Sequence, residues 1–279
     1  RTLVEHPLNQ VIDSSLKTYG EYIVQERAIP SYQDGLKPSQ RRSLWALYFD
    51  IGNRPEKGYI KAARAEGSTF RYHPHSGVYG AMVNMIEGTT SPLLMGWGNF
   101  GSFSKNDPPA NQRYTELKLS KFTMEVLFDR RFEKVYPRIP SYDGSSEEPV
   151  WLPAQLPLIL TLGASGIALG VSSRIPAFTV ESVYYAVKEA FEKKIKPTTK
   201  FLSKHLRLAT PYGGKVISPQ KDIDTLIATG RGAIEWECDS EVRGKYLHVI
   251  GLPPGWNYDT KLSVLMALPN IAAVEDLSS

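Results

Sequence analysis

The prolines of this chain constrain its fold more than any other feature. Pro137, Pro140, Pro149, Pro153 and Pro157 crowd into one short stretch. Each lacks a backbone N–H and holds φ near about −65°, so neither a long helix nor a central strand can run through that stretch. The texture differs on its two sides. Upstream, Val11, Ile12, Leu16, Tyr19, Tyr22 and Ile23 recur at helical spacing and predict a helix over 8–26, ended before Pro30. Pro38 suits the first turn of a second helix, which Leu44, Trp45, Leu47 and Tyr48 continue until Gly52-Asn53. Helices are also expected over 60–66, ended by Gly67, over 78–87, and over 115–128 with Tyr114 at its mouth. This succession of short helices fits a helix-turn-helix arrangement. Downstream, a helix over 180–194 precedes strand-like runs at 215–217, 232–238 and 246–251. A domain boundary is expected between residues 140 and 150.

At 279 residues the chain holds one large or two ordinary domains, and 42% hydrophobic with 22% charged residues is a globular balance. No apolar run approaches the roughly 18 residues that span a bilayer. The start, Arg1-Thr2-Leu3-Val4-Glu5-His6, lacks an apolar signal region, so a cytoplasmic protein without a membrane partner is expected. Its first residue is Arg, and Ser279 follows sequence that reads as structured, so a segment of a longer protein is also expected. The single cysteine, Cys238, excludes an internal disulfide and a multi-thiolate zinc site. Net charge is only +4, but residues 27–71 carry nine Lys/Arg against four acids, interleaved with Tyr32 and Tyr59 and followed by Tyr72. That pattern suits a nucleic-acid backbone, or equally a solvated face balanced by acids from elsewhere.

Within Asn111-Gln112-Arg113-Tyr114-Thr115-Glu116 a phenol stands beside a guanidinium. Tyrosine is a poor nucleophile at its free pKa of about 10 and needs neighbours that favour phenolate and stabilise a phosphorane-like transition state. Arginine, always charged, offers a planar fork to two phosphoryl oxygens. Taken alone, the pair also fits an exposed Arg beside a half-buried Tyr. Gly96-Trp97-Gly98-Asn99-Phe100-Gly101 matches a dinucleotide fingerprint in form, but Ser102 to Pro109 cannot open the helix that fingerprint needs. Gly163-Ala164-Ser165-Gly166 misses the nucleophile-elbow spacing by one residue. His73-Pro74-His75 admits three readings: two metal ligands without an evident third, donors to phosphate or acceptors of a phenolic proton, or structural histidines.

Five motifs stand in one order. They are Arg27-Ala28-Ile29-Pro30 with Asp34-Gly35-Leu36-Lys37-Pro38-Ser39-Gln40-Arg41-Arg42, Arg71-Tyr72-His73-Pro74-His75, Gly98-Asn99-Phe100-Gly101-Ser102, Arg113-Tyr114-Thr115-Glu116, and Ser165-Gly166-Ile167-Ala168-Leu169-Gly170 with Ile175-Pro176. Together they resemble the breakage-reunion subunit of type IIA DNA topoisomerases, the gyrase A and topoisomerase IV C subunits most of all. The resemblance implies an α+β fold: an N-terminal helix over 1–26, a winged-helix DNA-cleavage domain over 27–145, and an α/β tower over 146–279, in a fragment lacking the coiled-coil gate.

It also implies roles. Tyr114 matches the nucleophile that joins the 5′ phosphate of a cut strand, Arg113 the adjacent transition-state stabiliser, and Arg27 an arginine close to the scissile phosphate. Lys37, His73 and His75 match residues contacting DNA at the cleavage site, and Arg41 and Arg42 residues contacting its backbone. Ile167 matches an apolar wedge that enters between base pairs and bends the duplex. No metal ligand is expected in this chain. Mg²⁺ and ATP belong to a partner subunit; duplex DNA and a second copy of this chain complete the expected assembly. Against that family the chain departs in two places, Ser76-Gly77-Val78-Tyr79 where a longer stretch is usual and Trp97 where Gln is usual; a divergent, virus-like member is expected, and the shortened stretch leaves the usual quinolone Ser and acidic contacts without clear counterparts. A non-catalytic DNA-binding module and a metal-dependent nuclease using His73-Pro74-His75 are the competing functions.

Overall fold

The computed structural model describes residues 7–75, 77–86, 92–102, 107–253, 258–275 and 277. Helix α1 (Leu8–Ile23) has no buried residue and widens into a π-helical turn, Val24–Ala28, closed by Ile29 N donating to Val24 O at 3.2 Å. Helix α2 (Pro38–Trp45) starts where Lys37 N donates to Gln40 Oε1 at 3.0 Å, and a second π-helical turn (Ala46–Asp50) leads to Gly52. Strand β1 (Ile60–Lys61) runs directly into α3 (Ala62–Thr69). The expected helix over 60–66 therefore starts two residues late and does not end at Gly67, because Ala62, Ala65 and Thr69 share a buried face that holds one more turn. Helix α4 (Val78–Ile86) follows; Ser76, and Glu87 at its expected end, lie outside the described residues.

Strand β2 (Leu94–Trp97) and strand β3 (Glu116–Leu119) join β1 in an antiparallel sheet of order β1-β3-β2, with Leu117 opposite both Ile60 and Gly96. The helix expected over 115–128 is thus corrected. Leu117 and Leu119 are buried while Glu116 and Lys118 are only half-buried, a period of two that fits a strand. Only after Ser120, whose Oγ accepts from Thr123 N at 3.0 Å, does helix α5 (Lys121–Val126) begin. Gly96 lies inside β2, and its missing side chain leaves room for the Phe100 ring, so the apparent dinucleotide fingerprint is a packing feature. Residues 103–106, which follow that motif, lie outside the described residues.

The proline-rich stretch forms a short hairpin of β4 (Arg138–Pro140) and β5 (Glu147–Pro149), then helix α6 (Leu158–Leu162). A second hairpin, β6 (Ala164–Ala168) with β7 (Val171–Ile175), leads to α7 (Val180–Glu192) and α8 (Thr199–His205). Strand β8 (Lys215–Val216) pairs with β9 (Trp236–Glu237) around helix α9 (Gln220–Thr229). Strands β10 (Asp239–Arg243) and β11 (Tyr246–Gly251) form the last hairpin, and helix α10 (Tyr258–Met266) follows. The architecture is α+β, helices with small antiparallel sheets.

Two hydrophobic cores hold these elements. The larger takes in Leu36, Leu44, Trp45, Tyr72, Met82, Leu94, Leu117 and Leu127, and reaches through Leu152 to Leu158. Each such side chain contributes about 1.5–3 kcal/mol by leaving water. Ring stacking of Tyr48 on Phe128 (4.2 Å) and Trp45 on Phe49 (4.9 Å) lines its edge. A smaller cluster, Phe178, Val183, Ala186 and Leu206, fastens α7 to α8. No helix of the described residues is long and apolar enough to cross a membrane.

Candidate active site and nucleic-acid interface

Tyr114 closes a turn, its N–H donating to Asn111 O at 2.9 Å, immediately before β3. The start of α3 grips that turn: Ala62 N donates to Thr115 O (3.0 Å) and Ala63 N to Gln112 O (3.1 Å), so otherwise unpaired helix N–H groups are satisfied by turn carbonyls. Tyr79 adds a brace from α4, its hydroxyl donating to Ala110 O (2.8 Å) and meeting Thr115 Oγ1 at 2.9 Å. On this fixed base Tyr114 remains 63% exposed, with the Arg113 guanidinium 4.7 Å from its ring centre. The pair is firmly mounted and open to a ligand.

Arg27, Arg42, His73 and His75 converge elsewhere. Arg27 donates to His75 Nδ1 (3.2 Å), and Arg42 to His73 Nδ1 (3.1 Å). Arginine has no acceptor, so both imidazoles receive at Nδ1 and a neutral ring carries its proton on Nε2. For His75 that proton points to Tyr22 Oη at 2.7 Å. Burial first, then the charges of Arg42, His75 and Arg27, pull the His73 pKa down to about 4, so this ring is neutral near pH 7. Burial alone would lower the Arg42 pKa too. The Glu148 carboxylate, gripped bidentately at 2.7 and 3.0 Å, and Glu26 at 3.2 Å outweigh it and raise the value.

Arg41, the neighbour of Arg42 on α2, turns inward. Its fork binds both oxygens of the fully buried Asp34 at 2.6 and 2.9 Å and also reaches Leu36 O, while Asp34 accepts from Leu36 N and Leu152 N. In this conformation both guanidinium groups are occupied by carboxylates. Lys37, whose pKa is lowered by burial, donates from Nζ to Ser165 O at 2.6 Å and so tethers the β6–β7 hairpin. Gly166 in that hairpin lies against the π-helical turn; a Cβ there would come within 2.0 Å of Ala28 O. The hairpin then presents Ile167, 83% exposed, beyond this contact.

The structure therefore joins Arg27, Arg42, His73 and His75 in one network and sets Lys37 under the Ile167 hairpin. Among the described residues no hydrogen bond or ion pair links the side chains of Arg113 or Tyr114 to that network. Tyr22, Glu26, Asp34, Tyr79, Thr115 and Glu148 were not legible as site residues. Glu26 adjoins Arg27 in sequence, but Glu148 is 106 residues from Arg42 and carries no local signal. Among the described residues no group of three or more His, Cys, Asp or Glu is set to hold a metal ion. His73 and His75 spend their Nδ1 atoms on arginines, so they do not form a ligand pair, and the described residues offer no fit for Mg²⁺.

An exposed Arg-Tyr turn and an Arg-His network, carried on one α+β chain, are what the comparison with known proteins has to account for. The profile of the A subunit of DNA gyrase and topoisomerase IV matches residues 27–278, and the chain belongs to that family. It is 35% identical over 293 aligned residues to the DNA gyrase A subunit of Mycolicibacterium smegmatis, an alignment covering 98% of this chain and 34% of the relative. To the DNA topoisomerase 4 A subunit of Neisseria gonorrhoeae it is 34% identical over 260 residues, covering 90% of this chain and 34% of that protein. The topoisomerase 4 counterpart from a Synechocystis strain is 40% identical over 186 residues, 65% of this chain and 20% of the relative. The chain thus spans about a third or less of the length of these curated relatives.

Proposed function

We propose that this chain is the DNA-cleaving and rejoining part of an ATP-dependent type II topoisomerase, with Tyr114 as its nucleophile. One observation carries the reading: an exposed phenol, with a guanidinium over its ring, sits on a turn that α3 and α4 hold in place. A group used only for binding needs no such mount. In the proposed step Tyr114 Oη loses its proton and attacks a backbone phosphorus. An Oη–P bond forms, the P–O3′ bond breaks, and the 3′ oxygen takes up a proton. The product is a 5′-phosphotyrosyl link that conserves the phosphodiester energy, so reversal rejoins the strand without a nucleotide. Arg113 stabilises charge on the phosphoryl oxygens as it develops. Arg27, Lys37, His73 and His75 hold the adjoining phosphates, and Ile167 enters the stack and bends the duplex.

The α2, α3 and α4 helices with the β1-β3-β2 sheet support a winged-helix reading of residues 27–145, and the elements after residue 146 the reading of a tower. That no hydrogen bond or ion pair joins the Arg113 and Tyr114 side chains to the Arg27–His75 network among the described residues suits a site completed when two copies meet. Mg²⁺ and ATP are assigned to a partner subunit, as the resemblance to the gyrase and topoisomerase IV A subunits implies.

The test is to trap covalent adduct with denaturant after mixing the intact protein, its partner, Mg²⁺ and duplex. Wild type should yield adduct and Tyr114→Phe none; equal adduct from both would remove Tyr114 from the mechanism. Arg113→Ala should slow cleavage while leaving duplex affinity nearly unchanged, because its contribution is largest in the transition state.

A further inference from the structure

Tyr22 and Glu26 stand four residues apart where α1 passes into its π-helical turn, and both reach across to the Arg–His network. Each takes up one hydrogen there. His75 receives from Arg27 at Nδ1, so its neutral ring has a single hydrogen, on Nε2, and Tyr22 Oη accepts it at 2.7 Å. Arg42 Nη1 has two: one goes to His73 Nδ1 at 3.1 Å and the other to the Glu26 carboxylate at 3.2 Å, while Nε and Nη2 bind Glu148. The two acceptors are lightly held. Tyr22 is 38% exposed, the Glu26 side chain likewise 38%, and α1 buries no residue, so either side chain can swing into solvent without opening a core. The donors are not: Arg27 grips His75 from its far side and Glu148 grips Arg42.

A phenol oxygen and a carboxylate oxygen accept hydrogen bonds as a phosphodiester oxygen does, and one N–H cannot serve two acceptors at full strength. We propose that Tyr22 and Glu26 are internal stand-ins for phosphate oxygens. They occupy the His75 and Arg42 donors while no duplex is bound and withdraw before those donors turn to DNA. The contact is autoinhibitory: binding must break two bonds before it makes two, and the donors stay aligned throughout because Arg27 and Glu148 hold them. It rests on the DNA-cleaving reading, in which His75 holds a phosphate and the family resemblance gives Arg42 a backbone contact.

Tyr22→Phe keeps the ring that meets His75 edge-on and lies under Arg27, and removes only the hydroxyl. Duplex affinity of the intact protein, measured by titration, should rise about threefold to tenfold, the worth of one hydrogen bond no longer broken on binding. The gain should vanish in a His75→Ala background, where the hydroxyl has no donor to occupy. Glu26→Gln should add a further rise of about twofold to fivefold, multiplicative with the first because the donors differ. In the duplex-free protein the proton NMR signal of His75 Nε2–H should be protected in wild type and lost to solvent exchange in Tyr22→Phe. An affinity that Tyr22→Phe leaves unchanged or lowers would overturn the stand-in role, as would a gain that persists without the His75 imidazole. Failure of the wild-type protein to bind duplex at all would instead overturn the reading on which the proposal rests.

Discussion

Arg42 and Arg113 each stand beside a ring, and their surroundings are opposite. Arg42 is mostly buried, held bidentately by Glu148, joined to Glu26, and donates to His73. Arg113 is exposed, and its guanidinium lies over Tyr114 alone. Next to Arg42, Arg41 is more enclosed still, bound to a carboxylate that also ties down Leu36 and Leu152. Positive charge in this chain therefore has two uses. Paired and dry, it fastens α2 to distant segments and sets the protonation of a histidine. Free and wet, it stays open to solvent and to any anion that approaches. The free region can stay exposed because the paired region holds the fold together, and each variant below separates the two.

The largest expected effect is at Asp34. Asp34→Ala strands the Arg41 charge in the core and removes the acceptor for two backbone N–H groups, so unfolding by denaturant should show a loss of about 3–5 kcal/mol. A loss under about 1 kcal/mol would mean that Arg41 escapes to solvent and belongs with the free cations after all.

His73 comes next. Its folded pKa of about 4 lies below the unfolded value of about 6.5, so between the two the unfolded chain binds more protons. The stability tied to the neutral ring is complete above about pH 6.5 and drains away as pH falls toward about 4, a change on the order of 3 kcal/mol. An NMR titration should find the ring neutral at about pH 6, and His73→Gln should flatten that part of the stability profile. A midpoint near about 6.5 would show that Arg42 and burial do not govern this ring.

Tyr79→Phe probes the mount of the reactive turn. Losing the hydroxyl that links Ala110 O and Thr115 Oγ1 should cost about 1 kcal/mol of stability. If Tyr114 is the nucleophile, as proposed, adduct formation should fall by more than duplex affinity does, since the turn would then position the attacking atom. Equal falls would make the brace a general support.

The smallest effect belongs to the exposed pair itself. Tyr114→Phe and Arg113→Ala should each shift stability by no more than about 0.5 kcal/mol, because neither side chain is buried or hydrogen-bonded among the described residues. A loss near that of Asp34→Ala would erase the distinction between the two regions.

Much of the helical framework was legible from periodicity: α1, α2, α4 and α7 lie where apolar spacing places them, and Pro38 and Gly52 bound the second as their backbone chemistry requires. The error at 115–128 is instructive. Leu117 and Leu119 alternate over only four residues, too few to outweigh the helical pattern of Met124, Leu127 and Phe128 beyond them. Pairing with β1 and β2 decided the matter, and no sequence window contains those partners. Helices α8 and α9 escaped notice for a related reason: neither contains a fully buried residue, so neither carries a strong apolar stripe.

For the site, residue identity was in the sequence: a phenol next to a guanidinium, paired imidazoles, and a basic stretch in a recurring order. Which charges are free was not. Whether an arginine faces a phosphate or a carboxylate depends on what the rest of the chain brings within about 3 Å, as Glu148 reaches Arg42 across 106 residues and Asp34 encloses Arg41. A one-dimensional string specifies chemical groups and local backbone preference. Desolvation and Coulomb pairing depend on three-dimensional distance, so only the tertiary structure separated the arginines paired with carboxylates from the exposed one beside Tyr114.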